Sequence, residues 1–324
     1  MEVFSQRFFD FVRTVTFESK LRFAPTPSGF LHLGNALNFT LNWLAARYSS
    51  VLASNGPAAK IYLRIDDLDT ERIRPEYLED IFETLHWLKL DWDTDHNPPP
   101  RLALWRLNQS PITNSPITNQ PITNQPIYQI HPAYRQAGNL QHYFKILERL
   151  REQGVLFACQ KSRRDLEPFN NVYPPEFREQ GLSLDTPDVA WRIKTPPNFP
   201  LPDFIVRRRD GVPAYQVASF ADDLHFGITH IVRGADLEDS TAAQCFLARL
   251  LSEDNFLKIN FLHHPLVLGE AGEKLSKSAG SNSLKAMREA GVGPEKIFQT
   301  VGAWLGLEGD SATDLLTAMR KRLA

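Results

Sequence analysis

Arg22-Phe-Ala-Pro-Thr-Pro-Ser-Gly-Phe-Leu-His-Leu-Gly-Asn35 joins a short apolar strand candidate, Leu21–Ala24, to a stretch, Leu33–Tyr48, that carries Leu37, Leu41 and Leu44 at helical spacing. A strand that turns into a helix is one βα unit. In an open α/β sheet, ligands sit beyond the carboxyl ends of the strands, where such a unit turns. The first backbone N–H groups of the helix favour phosphate there. Pro25 and Pro27 stiffen the approach, Gly29 and Gly34 let backbone come close, and His32 is placed to donate to a phosphate oxygen.

Working outward, strand and helix patterns alternate. Ile61–Ile65 reads as a second strand. Pro75 suits a first helical residue before Tyr77, Leu78, Ile81, Phe82, Leu85 and Leu88. Gln141–Gln153 reads as an amphipathic helix closed by Gly154. Phe204–Arg208, a turn at Asp210-Gly211 and Ala214–Val217 suggest a hairpin. Asp239 or Ser240 is placed to cap a helix reaching Leu251, Phe261–Leu268 is a late strand, and 283–290 and 294–305 read as short helices. The alternation predicts an α/β fold with a doubly wound parallel sheet.

Two stretches stand apart. Residues 110–127, SPITNSPITNQPITNQPI, repeat proline every fifth residue, which denies helix and removes a ladder donor from any strand. The simplest reading is a tandem expansion in a surface loop, where added length costs little entropy. Residues 1–20 are aromatic (Phe4, Phe8, Phe9, Phe11, Phe17) but broken by Arg7, Asp10, Arg13 and Glu18, so they read as a surface extension, partly helical, rather than a signal peptide.

The 324 residues suffice for one large core or two modest ones, and 42% are hydrophobic. A net charge of −2 excludes a protein that coats nucleic acid with positive charge, so any RNA contact must use local patches. Candidates are Lys161/Arg163/Arg164, Arg207–Arg209 and Arg320/Lys321/Arg322. Two cysteines, Cys159 and Cys245, exclude a disulfide framework and fit a reducing, cytoplasmic setting. No apolar run is long enough to span a membrane.

A second motif, Lys274-Leu-Ser-Lys-Ser278, follows Gly269 and Gly272; two lysines beside serines in a glycine-flanked loop suit a mobile clamp on polyphosphate. With it, the pattern resembles the class I aminoacyl-tRNA synthetases. His32-Leu-Gly-Asn35 resembles their HIGH signature and Lys274–Ser278 their KMSKS signature. Arg22–Gly29 is similar to the RFAPSPTG string of the glutamyl/glutaminyl branch, Leu63–Arg72 to its LRIEDTDxxR, and Val232–Thr241 to a RGADLLDST form found in a queuosine-modifying paralogue group. The resemblance runs from about Arg22 to Ser278, broken by the proline repeat, and Tyr134-Arg-Gln136 resumes it.

The resemblance implies a Rossmann-like catalytic domain in two halves (21–100 and 201–280). Between them lie the repeat loop (101–133) and an inserted α/β connecting subdomain (134–200), and a short helical segment (281–324) follows. It implies adenylate formation from L-glutamate and ATP, with Mg²⁺ on the polyphosphate and no enzyme nucleophile. His32 and Lys277 would act on the phosphates, with Gly34, Asn35, Lys274 and Ser276 also at ATP. Arg22, Ala24, Thr26, Asp66, Tyr215 and Arg233 would bind glutamate, since a guanidinium fork matches a carboxylate. Asp66 stands where the family has Glu, so the charge is kept but the reach is one methylene shorter.

The family's C-x-C…Y-x3-C zinc set is broken here: Cys159 and Tyr173 remain, but Lys161 and Phe177 hold the other two positions, which predicts no structural zinc. The segment after Ser278 is too short for the family's helical anticodon-binding region, which turns the expectation toward transfer of glutamate, activated without tRNA, onto queuosine in the anticodon stem-loop of tRNA(Asp). Two other readings stay open: a truncated synthetase charging the tRNA 3′ end, and a non-catalytic RNA- or amino-acid-binding relic. The family expectation is a monomer.

Overall fold

A computed structural model describes residues 2–52, 57–93, 131–170, 172–266 and 283–323. The proline repeat and the Lys274–Ser278 motif lie outside the described residues, and so do Lys274, Ser276 and Lys277.

The sheet is parallel, as the alternation predicts. Strand β1 (Lys20–Phe23) pairs in parallel with β2 (Lys60–Leu63), and β6 (His230–Gly234) pairs in parallel with β7 (Asn260–His264). The two pairs adjoin: the Thr229 N–H donates to the Lys20 carbonyl (3.0 Å), and the Lys20 N–H donates to Thr229 Oγ1 (3.0 Å). Nearly every β1 and β6 residue is buried, as strands covered on both faces require. Helix α2 (Leu33–Leu52) returns from β1 over one face, and Asn38 Nδ2 ties it to the Val232 carbonyl of β6 (3.0 Å). Helix α3 (Pro75–Trp87) opens with its proline at the start, where the missing N–H has no intrahelical partner to lose.

Between the two halves, β3 (Leu156–Cys159), β4 (Ala190–Ile193) and β5 (Phe204–Arg207) form a separate antiparallel sheet. Helix α4 (Leu140–Glu152) precedes it and turns Tyr143, Ile146, Leu147 and Leu150 inward, the spacing of one apolar stripe.

Three expectations are corrected. Ala214–Val217 is not the second strand of a hairpin; helix α6 (Tyr215–His225) begins there, and only a single bridge joins Arg207 to Pro213. The alternation of apolar residues fits either period over so short a run, and burial of Val217, Ala218, Phe220 and Ala221 selects the helix. Neither Asp239 nor Ser240 caps the next helix: α7 (Glu238–Leu250) starts one turn of 3-10 helix after β6, with Leu237 at its N-cap. The N-terminal stretch is no surface extension. It is helix α1 (Glu2–Arg13), with Phe4, Phe8, Phe9, Phe11 and Val12 buried in the main core. The charges that break the apolar run fall on its outer face.

Helix α1 docks on the C-terminal helices α10 (Glu295–Leu305) and α11 (Ala312–Leu323). Phe4 meets Trp304 edge-on at 6.0 Å, Ser5 Oγ donates to the Leu305 carbonyl (2.9 Å), and the Arg322 guanidinium lies 4.6 Å over Phe9. Arg322, one of the basic residues weighed as an RNA patch, is therefore spent on structure.

Candidate active site

Where β1 and β6 run side by side, their carboxyl ends open into a cleft of about 380 Å³. Arg22 and Ala24 line it from β1 and the turn beyond. His32, Gly34, Asn35 and Asn38 line it from the start of α2, Tyr215 from the start of α6, and Arg233 from the end of β6. This is the switch point between the halves, where an open α/β sheet takes its ligand. Seven of the residues singled out in the sequence converge here: Arg22, Ala24, His32, Gly34, Asn35, Tyr215 and Arg233. Thr26 is half-buried in the same turn but does not line the cleft.

The turn into α2 explains how His32 is held. The His32 N–H donates to Asn35 Oδ1 (3.0 Å), a side-chain cap three residues on. The Gly34 N–H donates to His32 Nδ1 (3.1 Å). An Nδ1 that accepts a backbone proton leaves the neutral ring's own proton on Nε2. Position 34 admits no side chain without disturbing this: a Cβ there would stand 3.0 Å from His32 Cε1.

The arginines are held from behind by a buried network. Asp223 Oδ1 accepts from Arg22 Nε (2.9 Å) and from Arg64 Nη1 (2.9 Å). Arg64, 1% exposed, also forks onto Asp66 through Nε (2.6 Å) and Nη2 (3.1 Å), and lies 3.6 Å from Asp222. Burial opposes its charge, but Asp66, Asp223 and Asp222 outweigh that and hold its guanidinium protonated. Asp222 accepts from Tyr143 (2.7 Å) and Gln136 (3.0 Å), and burial pushes its carboxyl up to about 6 against the pull of Arg64. Because Asp223 takes only the Nε of Arg22, the two terminal nitrogens of that guanidinium are left for the cleft. Arg233 is oriented differently. Both its terminal nitrogens donate to Gln244 Oε1 (3.0 Å each), its face lies 4.9 Å from the Phe261 ring, and burial pulls its pKa down.

Asp66 is not among the residues that line the cleft, and its carboxylate, 5% exposed, is occupied by Arg64. The residues that sequence reasoning passed over are Asn38, Asp223, Asp236, Gln244 and His264. Asp236 lies inside the quoted Val232–Thr241 string, and Asn38 is one turn beyond Asn35, so both were within reach of the pattern. Asp223 and Gln244 are visible only once α6 and α7 are packed behind β1 and β6. His264, whose pKa burial pulls down, stacks on Trp304 at 5.9 Å and lines the cleft.

Leu266 lines the cleft, and Ser283 bridges to His32 while the Leu284 N–H donates to the Leu31 carbonyl (2.8 Å).

The four positions matched to a zinc set also come together, but with the wrong donors. Tyr173 Oη lies 3.3 Å from Cys159 Sγ, and Lys161 Nζ sits 4.6 Å over the Phe177 ring. A thiol and a phenol are two donors where a closed tetrahedral site needs four, and the ammonium repels a cation. Burial alone would push the Cys159 thiol up, but hydrogen bonds from Tyr173, Gln180 and the Lys161 backbone bring it down. Among the described residues no group of three His, Cys, Asp or Glu side chains is arranged to hold a metal. The neighbouring basic residues are partly engaged: Arg207 stacks on Trp191, Arg208 pairs with Asp210 and Arg209 donates to the Gln160 carbonyl.

Comparison with known proteins agrees with this geometry. The model of the class I tRNA synthetase (E and Q) catalytic domain matches residues 18–173 and 178–319. Two similar proteins, from Parasynechococcus marenigrum (strain WH8102) and Pseudomonas putida (strain W619), are each named glutamyl-Q tRNA(Asp) synthetase. The first is 35% identical over 290 residues, 88% of this chain and 82% of its own length. The second is 34% identical over 312 residues, 92% of this chain and 87% of its own length. Among solved structures, a glutamate-tRNA synthetase from Elizabethkingia anophelis superposes with a TM-score of 0.66 at 23% identity over 94% of this chain, which speaks to the fold. This chain spans 65% of that protein's length.

Proposed function

The chain belongs to the class I tRNA synthetases of the glutamate and glutamine branch, and from that membership we propose an enzyme that activates L-glutamate with ATP and transfers it to the queuosine ring at the wobble position of tRNA(Asp). The observation that carries the reading is the pairing, in one cleft, of two buried guanidinium groups with the capped start of α2. A dicarboxylate and a polyphosphate are the ligands such a pairing suits.

In the first step a glutamate carboxylate oxygen attacks the α-phosphorus of ATP, pyrophosphate leaves, and glutamyl-adenylate remains. In the second, a hydroxyl of the queuosine cyclopentene ring attacks the acyl carbon and AMP leaves. No enzyme nucleophile is needed; positioning and charge stabilisation lower the barrier. Arg22 offers its terminal nitrogens to the glutamate, with Arg233, Tyr215 and Ala24 completing its surroundings. His32 donates from Nε2 to a phosphate oxygen beside Gly34 and Asn35. Lys274, Ser276 and Lys277 act at the polyphosphate, the role the resemblance implies for them. Mg²⁺ comes with the ATP and shields its charge. For Asp66 to meet the substrate ammonium it would have to release Arg64, so its first role in this reading is to hold that arginine.

The anticodon loop then enters the mouth of the cleft with its wobble base splayed out, the way proteins usually read RNA loops. The relatives' names are the support for this acceptor. We place the enzyme in the cytoplasm, as a monomer. Glutamate-dependent ATP–pyrophosphate exchange without tRNA is the expected activity. Absence of exchange with every amino acid would leave a binding relic and end the enzymatic reading.

A further inference from the structure

Behind the cleft, on the opposite side of Asp223, lies a second and larger cavity of about 690 Å³, between α4, the end of α6 and the helical turn α8 (Asp254–Leu257). Its inner wall is apolar, with Ile146, Ala221, Ile228 and Ile259 buried. Its rim is cationic. His142, Lys145 and Arg149 line it from one stripe of α4, His225 from the end of α6, and Lys258 from beyond α8.

These rim groups are not consumed by the fold. Arg149 is paired with Glu253 (2.6 Å), which cancels the acid at the rim. Lys145 and Lys258 have no ion-pair partner among the described residues. The His142 and His225 rings stand 4.6 Å apart, and neither ring has a hydrogen-bond partner among the described residues. Burial and then the neighbouring His142 ring hold the His225 pKa down, and an anion between the rings and the lysines opposes that.

We propose that this rear cavity is a second binding site, for a small phosphomonoester. The phosphate sits among Lys145, Lys258, His142 and His225. A phosphomonoester, near −2 at neutral pH, matches two lysines and two protonatable rings better than a monoanion does. The cavity is of the size that encloses a small molecule.

Ribose 5-phosphate is the probe, with ribose as the control, and binding is followed by calorimetry and by the NMR titration of the His142 and His225 ring protons. The site predicts binding of ribose 5-phosphate but not ribose, with the ring-proton signals of both His142 and His225 shifted on binding. His142, Lys145, Arg149, Asp223, His225, Glu253 and Lys258 are the charged and titratable groups around those rings. Lys145→Glu with Lys258→Glu, both exposed, should weaken binding by roughly a hundredfold, about tenfold for each reversed charge. His32→Ala, in the front cleft, should leave binding intact. Binding that survives the double reversal and is lost in His32→Ala puts the phosphate in the front cleft and overturns the proposal. Equal affinity for ribose, or no binding by either measurement, overturns it as well.

Discussion

Asp223 is the residue on which the Arg22 side of the cleft turns. Its Oδ1 fixes Arg22 through Nε at 2.9 Å and Arg64 at the same distance, with its own side chain fully buried. Asp223→Ala removes the acceptor that leaves the terminal nitrogens of Arg22 for the cleft. A charge-assisted hydrogen bond is worth about 1.5–3 kcal/mol. If that orientation is what glutamate binding uses, its loss raises the glutamate KM by roughly tenfold to a hundredfold. The turnover number and the ATP KM should change far less, because the interaction acts on bound glutamate equally in ground and transition states. Asp223→Asn keeps an oxygen for Arg22 Nε but not the charge, so its glutamate KM should fall between the wild type and Asp223→Ala. Both variants leave Arg22 and Arg64 short of a counter-charge and should cost about 3 kcal/mol of stability, in line with breaking a buried ion pair. The assay is ATP–pyrophosphate exchange across a glutamate series, at a temperature where each variant is folded. An Asp223→Ala enzyme that is folded, with an unchanged glutamate KM, would refute the positioning argument.

Other consequences are equally direct. Gly34→Ala presses a Cβ on the His32 ring and should slow exchange by about tenfold or more with little change in Tm; an unaltered rate would detach His32 from the phosphates. His230 is buried, bonded to Thr14 and Thr229, and its pKa is pushed down to about 4 by burial. Its folded pKa lies below the ordinary 6.5, so the folded state binds fewer protons, and stability falls as pH drops from 6.5 toward 4; at pH 5 the loss is about 2 kcal/mol. His230→Gln should show a shallower acid decline in urea denaturation, and an identical pH profile would contradict the assignment. Stability of the wild type should be indifferent to chelators, whereas Lys161→Cys with Phe177→Cys completes a three-thiol, one-phenol set and should take up zinc; zinc bound stoichiometrically by the wild type would contradict the donor argument.

Much of the site could be read in the sequence because its residues sit at the ends of elements whose periods are plain. Arg22, His32 and Arg233 lie at a strand end, a helix start and a strand end, and each falls inside a quoted string. The network behind them could not be read so. Asp223 reaches Arg22 across 201 positions and Arg64 across 159, and nothing local in Ala221-Asp-Asp announces which chain it faces. Asp66 shows the opposite hazard: its place in a motif pointed outward to substrate, while the short side chain and Arg64 two residues away turn it inward. The N-terminal helix misled for a different reason. Its interleaved charges read as a surface only until the aromatic residues are placed on one face, where Trp304 and Leu305, some 300 positions away, receive them.

The central claim is the acceptor, and one measurement addresses it. Labelled glutamate, ATP and queuosine-bearing tRNA(Asp) are incubated with the enzyme, and the tRNA is cut by nuclease into anticodon and 3′ fragments. The account predicts label on the anticodon fragment, and none when the tRNA lacks queuosine. Label on the 3′ fragment would contradict it and return the chain to ordinary aminoacylation.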